Sequence, residues 1–146
     1  MKKITLYTDG ACSGNPGVGG WGCVLIYREV KKEFSGAEPD TTNNRMELLA
    51  VISGLEKLKE PCEVDIYSDS AYVTNAFLQN WIENWILNSW RGSDKKEVKN
   101  RDLWQRLVNL ASVHKVAWHK VKGHADNELN NRCDELATTA VKNFNK

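Results

Sequence analysis

The sequence predicts an α/β fold: a mixed five-stranded sheet, an antiparallel meander plus two parallel strands, flanked by helices. Three observations lead there. Three alternating segments follow one another closely before residue 40, the spacing of a meander. Two later alternating segments, at 62–69 and 115–121, each come after apolar residues recurring every three or four positions, as helical crossovers between parallel strands require. The first and fourth strands both close on an aspartate two residues after a tyrosine, in Tyr7-Thr8-Asp9 and Tyr67-Ser68-Asp69.

In order, Ile4 to Gly10 alternates with Ile4, Leu6 and Thr8 on one face and Thr5, Tyr7 and Asp9 on the other. Gly10, Gly14, Asn15, Pro16 and Gly17 are expected to end that strand at once. Trp21 to Tyr27 reads as the second strand and Glu33 to Gly36 as a short third, joined by a charged turn, with Pro39 and Asp40 breaking the pattern. Leu48, Val51, Ile52, Leu55 and Leu58 then form an amphipathic stripe. Pro61 closes it, and Cys62 to Asp69 alternates with Val64 and Ile66 on one side. A helix begins at Ser70, and the segment that follows it is rich in tryptophan. Leu103, Leu107, Leu110 and Ala111 mark another helix, Lys115 to Val121 a fifth strand, and Lys122 to Asn127 a polar loop. The last helix carries Leu129, Cys133, Leu136, Ala137, Ala140, Val141 and Phe144.

At 146 residues the chain fits one domain, residues 1–146. The 41% hydrophobic and 27% charged residues suit a globular core, and a net charge of +1 leaves the question of partners to the placement of charges. The amino terminus lacks the apolar run of a signal peptide, and no stretch is long enough to span a membrane. Cys12, Cys23, Cys62 and Cys133 are widely spaced with no Cys-x-x-Cys pair, which argues against structural zinc and for cytoplasmic thiols.

Four acids carry the chemistry. Each has an ordinary role open to it: Asp9-Gly10 as a turn, Glu47 in a capping box with Asn44, Asp69 as a helix cap, and Asp134 as a solvated acid at the edge of the apolar stripe. Together they say more. Asp9 and Asp69 end strands expected to lie side by side, and Glu47 falls in the first turn of the helix packed on them. Like charges brought together shift one another's pKa values unless a cation sits among them, and no basic residue directly neighbours these acids in sequence. A hard divalent ion such as magnesium, held by oxygen ligands, answers that need, and two such ions suit phosphodiester cleavage.

Thr8-Asp9-Gly10-Ala11 with Gly14-Asn15-Pro16-Gly17, the stretch Thr42-Asn43-Asn44-Arg45-Met46-Glu47, Ser68-Asp69-Ser70, Val121-Lys122-Gly123-His124 and Asn130-x-x-Cys133-Asp134 together resemble the type 1 ribonuclease H family over essentially the whole chain. The form resembled is the compact bacterial one, without a preceding hybrid-binding domain. The resemblance implies the ribonuclease H-like fold and cleavage of the RNA strand of RNA–DNA hybrids, leaving 3′-hydroxyl and 5′-phosphate ends. It implies that Asp9, Glu47, Asp69 and Asp134 hold two Mg2+ ions, with Mn2+ able to substitute, and that His124 assists proton transfer or product release. Cys12, Asn15, Asn43 and Asn44 match positions meeting the substrate across the minor groove, where 2′-hydroxyls are displayed. Thr42 and Asn100 match a phosphate pocket for the DNA strand. The segment holding Trp81, Trp85 and Trp90, then Lys95, Lys96 and Lys99, resembles a basic protrusion that grips the hybrid, and between Arg91 and Arg101 it has an excess of three positive charges. Burial of Trp81 and Trp85 in the core is the other reading of those side chains. A cytoplasmic monomer with an RNA–DNA hybrid as partner, and no membrane, completes the expectation.

Three departures bear on affinity. Ile86-Leu87-Asn88 stands where the family often has a basic cluster, Ala71 where it often has a glutamine, and Asp40 where an arginine often supports the phosphate pocket. None is a metal ligand, so chemistry is expected to survive with weaker hybrid binding. The alternatives are another nuclease or integrase-like enzyme on the same scaffold, or a hybrid-binding module without catalysis. The first would lack the Thr42–Leu48 and Val121–His124 stretches, and the second would lack a carboxylate.

Overall fold

The structure is a computed structural model, and it describes residues 1–121 and 127–144. Five strands form one sheet in the order β3-β2-β1-β4-β5. β1 (Lys2–Cys12), β2 (Gly17–Tyr27) and β3 (Val30–Thr41) make the antiparallel meander. β4 (Cys62–Ser68) and β5 (Lys115–Lys120) add in parallel on the other side of β1. The helices are α1 (Asn43–Glu56), α2 (Ala71–Leu78), α3 (Trp81–Leu87), α4 (Arg101–Val113) and α5 (Glu128–Phe144).

The meander is longer than its hydrophobic pattern suggested. β1 does not stop at Gly10 but runs to Cys12, because Gly10, Ala11 and Cys12 keep their pairing with Trp21, Gly20 and Gly19. β3 continues past Gly36 to Thr41, and Pro39 is tolerated because β3 is the edge strand and needs no outward N–H partner. Leu58 falls beyond the end of α1, and Phe144 at the end of α5 is 46% exposed instead of joining the apolar stripe.

Helices cover both faces. Gly54 of α1 lies against Leu6, and the core on that face gathers Leu6, Leu48, Ile52, Leu55, Ile66, Trp104 and Leu107, all fully buried. α5 covers the opposite face of β2. A Cβ built on Gly22 would lie 2.6 Å from both the Cys133 carbonyl oxygen and the Leu136 Cβ. Side chains alternate across a strand, so Asp9, the partner of Gly22, is on α5's face, and Gly10 is on α1's face.

Because backbone cannot yield as a side-chain tip can, Gly22→Ala is expected to cost roughly 2–3 kcal/mol by forcing α5 off the sheet. Gly92→Ala, whose Cβ would meet the Asp94 carboxylate at 3.2 Å and the Lys96 carbonyl oxygen at an ordinary 3.9 Å, should change stability little. Urea unfolding of the two variants checks this, and equal midpoints would count against the close α5–β2 contact.

Candidate functional site

The register of the central strands builds the site. Parallel pairing of β1 with β4 aligns Tyr7 with Tyr67 and Thr8 with Ser68, then stops. One step further along each chain stand Asp9 and Asp69. The tyrosines stack at 4.7 Å between centroids, and Tyr67 stacks on His119 at 4.6 Å, an aromatic row that stiffens the strands beneath the acids. Beyond Ser68 the chain turns into α2, capped by Ser70, whose hydroxyl accepts from the Val73 amide. β1 meanwhile stays paired with β2, so Asp9 faces a notch where β4 has left the sheet.

Glu47 arrives from α1. It sits in the second turn, not the first, because Thr42 is the N-cap: its hydroxyl accepts from Arg45 N at 3.3 Å. That places Glu47 over the strand end, where the Gly10 amide donates to both Glu47 and the Asp9 carboxylate. Only glycine fits between them, since a Cβ on residue 10 would lie 2.5 Å from the Glu47 backbone nitrogen. Neither Asp69 nor Glu47 takes the capping role its sequence context allowed. Asp134, on α5, lines the same depression of about 410 Å³ with Asp9, Glu47, Asp69, Asn43, Asn44 and Tyr72.

Oxygen atoms of Asp9, Glu47 and Asp69 all lie within 4.8 Å of one another, while Asp134 stands outside that trio. Asp9 and Glu47 are each only 5% exposed. Burial, then the Asp69 charge, pushes Asp9 up to about 7. Burial and the Asp9 charge raise Glu47 well above the ordinary carboxylate range. No cation lines the depression among the described residues. The nearest basic residues in sequence are engaged elsewhere: Arg45 makes a two-pronged pair with Asp102 (2.7 and 3.0 Å), and Arg132 pairs with Glu33 and Glu135. Buried hard oxygen donors that resist ionisation and lack a basic partner fit a divalent cation.

The residues expected to meet the substrate fall into three groups. Cys12, Asn15 and Asn43 come together beside the acids. Asn15 Oδ1 accepts from the Asn43 amide at 3.3 Å, the Cys12 thiol faces the Gly17 and Thr41 carbonyls, and Asn44 lines the depression itself. Thr42 and Asn100 are joined through Arg45, which donates its backbone N–H to one and Nη1 to the other. Trp81 and Trp85 line a separate groove of about 590 Å³ with Arg91 and Lys95, while Lys96 and Lys99 are exposed outside it. Trp85 also packs edge-on against the buried Trp104 (5.2 Å) and beside Trp90 (6.1 Å), so Trp81 and Trp85 are half-buried against the core while they line the groove. Gly123 and His124 lie outside the described residues. Sequence reasoning missed Tyr72 and Trp104; the only signal was their aromatic character beside two predicted helix starts.

The RNase H family model matches residues 1–142. The chain belongs to the RNase H family. A ribonuclease H of Acetivibrio thermocellus is 64% identical over 146 residues, covering 100% of this chain and 99% of the relative. One from Chlorobium limicola is 61% identical over 142 residues, covering 97% of each. Among solved structures, a type 1 RNase H with the type 2 active-site motif superposes with TM-score 0.87 at 29% identity, over 97% of this chain and 73% of that one. An RNase H1 in complex with an RNA/DNA hybrid shares the fold at TM-score 0.74 and 24% identity, over 98% of this chain and 99% of that one.

The raised carboxylates fix a sign for metal-free stability. A folded-state pKa near 7 for Asp9, against about 3.9 unfolded, contributes stability that is full below the unfolded value. That contribution is lost as pH rises through 7. In EDTA, wild type is expected to lose on the order of 2 kcal/mol between pH 5 and pH 8. Asp9→Asn should flatten this slope and be the more stable of the two at pH 8. Urea titrations at both pH values decide, and an undiminished slope in Asp9→Asn would place its origin elsewhere.

Proposed function

We propose that the chain is an endonuclease that hydrolyses the RNA strand of RNA–DNA hybrids, leaving 3′-hydroxyl and 5′-phosphate ends, with divalent metal held by Asp9, Glu47, Asp69 and Asp134. The observation that carries this reading is the trio of carboxylates within 4.8 Å at the end of paired strands, in a chain of the RNase H family. The relatives named ribonuclease H, and the RNase H1 solved with a hybrid, support the substrate class. Mg2+ is the proposed ion, two per site, with Mn2+ able to replace it.

Bound there, the metal supplies Lewis-acid polarisation of a phosphate oxygen and a water acidic enough to attack near neutral pH. The chain's own groups do the positioning. The Gly10 amide fixes the relative placement of Asp9 and Glu47, and the rigid β1–β4 pair fixes Asp9 against Asp69. Cys12, Asn15, Asn43 and Asn44 present small polar groups to the minor groove beside the acids, and amides that both donate and accept suit ribose hydroxyls. Thr42 and Asn100 receive a DNA-strand phosphate. Trp81, Trp85 and Trp90 with Lys95, Lys96 and Lys99 extend the contact along the backbone. His124 assists proton transfer or product release. The working unit is a single domain, residues 1–146, acting as a monomer in the cytoplasm.

An end-labelled hybrid tests the reaction. Wild type with Mg2+ should cut the RNA strand, and EDTA or Asp9→Asn should reduce cleavage at least about 10³-fold. Duplex DNA, duplex RNA and single strands should stay intact. Cutting of a DNA duplex would instead favour another nuclease on the scaffold, and hybrid binding without cleavage a binding module.

The tryptophan-rich segment has its own readout. Replacing Lys95, Lys96 and Lys99 together by alanine should shrink the slope of log affinity against log salt by about 2 to 3 while leaving the rate at saturating hybrid near wild type. An unchanged slope would remove those lysines from the interface.

A further inference from the structure

Asn130 heads the motif Asn130-x-x-Cys133-Asp134, yet nothing in the proposed reaction uses it. It begins the buried stripe of α5, ahead of Cys133 and Ala137, and is itself fully buried. Its backbone N–H is capped by Asn127 Oδ1 at 2.9 Å. Its side chain has no such match: among the described residues, neither Oδ1 nor Nδ2 has a hydrogen-bond partner. A primary amide offers two donor hydrogens and a carbonyl with two lone pairs. Leaving these unpaired away from water is costly, whereas a leucine of nearly the same shape would carry no such cost. The polarity at residue 130 therefore calls for a partner.

Asp134 lies four residues further along α5, one turn away on the same side of the helix. Helical side chains lean back toward the N-terminus, so the Asp134 side chain leans into the turn that carries Asn130. The two groups make no direct hydrogen bond. Asp134 lines the depression with Asp9, Glu47 and Asp69. There the Gly10 amide braces Asp9 and Glu47. The hydrogen bond that Asp134 accepts from Thr138 uses its backbone carbonyl, and among the described residues its carboxylate meets no protein donor. A buried amide with open positions, one turn from an unbraced carboxylate, is a polar and enclosed place with a donor on one side and an acceptor on the other. Such places hold internal water.

We propose that Asn130 is a positioning residue for Asp134, acting through one internal water that accepts from Asn130 Nδ2 and donates to the Asp134 carboxylate. The bridge holds Asp134 in the orientation from which it takes part in holding a divalent ion. Hydrogen bonds of this outer kind orient a carboxylate ligand and raise metal affinity without touching the ion. This rests on the metal reading given above, in which Asp134 is one of the ligands. The buried amide is then kept for metal binding at the expense of the metal-free fold.

Mg2+ binding, measured by calorimetry without nucleic acid, tests this in wild type, Asn130→Leu and Asn130→Ser, each also combined with Asp134→Ala. Asn130→Leu should weaken Mg2+ binding about tenfold. Asn130→Ser keeps a hydroxyl and leaves room for a second water, so it should recover most of that loss. In the Asp134→Ala background, Asn130→Leu should weaken binding no further. Without metal, Asn130→Leu is expected to melt close to or above wild type, because an apolar group replaces a poorly paired amide. Should leucine prevent folding, Asn130→Ala, which cannot overpack the site, takes its place with the same expected loss. Wild-type Mg2+ affinity in Asn130→Leu overturns the proposal, and so does a loss of equal size when residue 134 is alanine. If Asp134→Ala itself binds Mg2+ as wild type does, Asp134 is not a ligand, and the metal reading at that residue falls together with this proposal.

Discussion

Mutual repulsion among Asp9, Glu47 and Asp69 is the constraint around which the rest of the structure is arranged. Three carboxylate oxygens within 4.8 Å, two of them in nearly buried side chains, are unfavourable together as charges, and burial with that repulsion raises the pKa values of Asp9 and Glu47. A flexible frame would relieve that by moving the groups apart. Here the frame cannot move cheaply. β1 is the central strand, paired on both sides up to Thr8, and Leu6 and Ile66 beneath it are fully buried. The unfavourable term is small beside the burial of that core, so the core can hold the acids in a geometry they would not choose alone.

The acids are delivered by elements that share no sequence neighbourhood. Asp9 comes from a strand interior and Asp69 from a strand end. Glu47 belongs to the helix on one face of the sheet and Asp134 to the helix on the other, and they meet where β4 leaves β1's side. Close approach on each face requires a residue without a side chain, Gly10 under α1 and Gly22 under α5. Both are backbone-to-backbone contacts, so side-chain repacking cannot substitute for either glycine.

Much of this was legible in the sequence, for identifiable reasons. The alternation of Ile4 to Asp9 and of Val64 to Asp69 revealed the strands, and the shared Tyr-x-Asp ending revealed that their last residues face the same way. The stripes of α1 and α5 revealed which sides of those helices are buried. Strand length was not legible: Gly17 to Gly20 and Ala37 to Thr41 carry no hydrophobic alternation, and backbone pairing within the meander extends the strands regardless. Nor was the spread of the acids. Asp134 shares Asp9's face of the sheet, yet it stands outside the tight trio because its position depends on how α5 is seated over Gly22, a tertiary distance that no local pattern encodes. The Arg45–Asp102 pair and the Tyr72–Asn100–Trp104 bonds link residues far apart in sequence, and only the fold brings them within reach.

Those long-range bonds also tie the tryptophan-rich segment to the edge of the acidic depression. Ile86 and Leu87 are exposed, the latter at 82%, so electrostatic reach is weak on that side. The indoles, however, form a continuous path from Trp81 through Trp85 to Trp104, which is fully buried and tied to Tyr72 at the edge of the acidic depression. The groove lined by Trp81, Trp85, Arg91 and Lys95 is therefore anchored to the same core that holds the acids, and its spacing from them is set by packing. A surface held rigid before it meets its ligand loses less entropy on binding than a flexible one carrying more charge. For the hybrid contact proposed above, preorganisation of this kind offsets part of what a basic cluster at residues 86–88 would contribute.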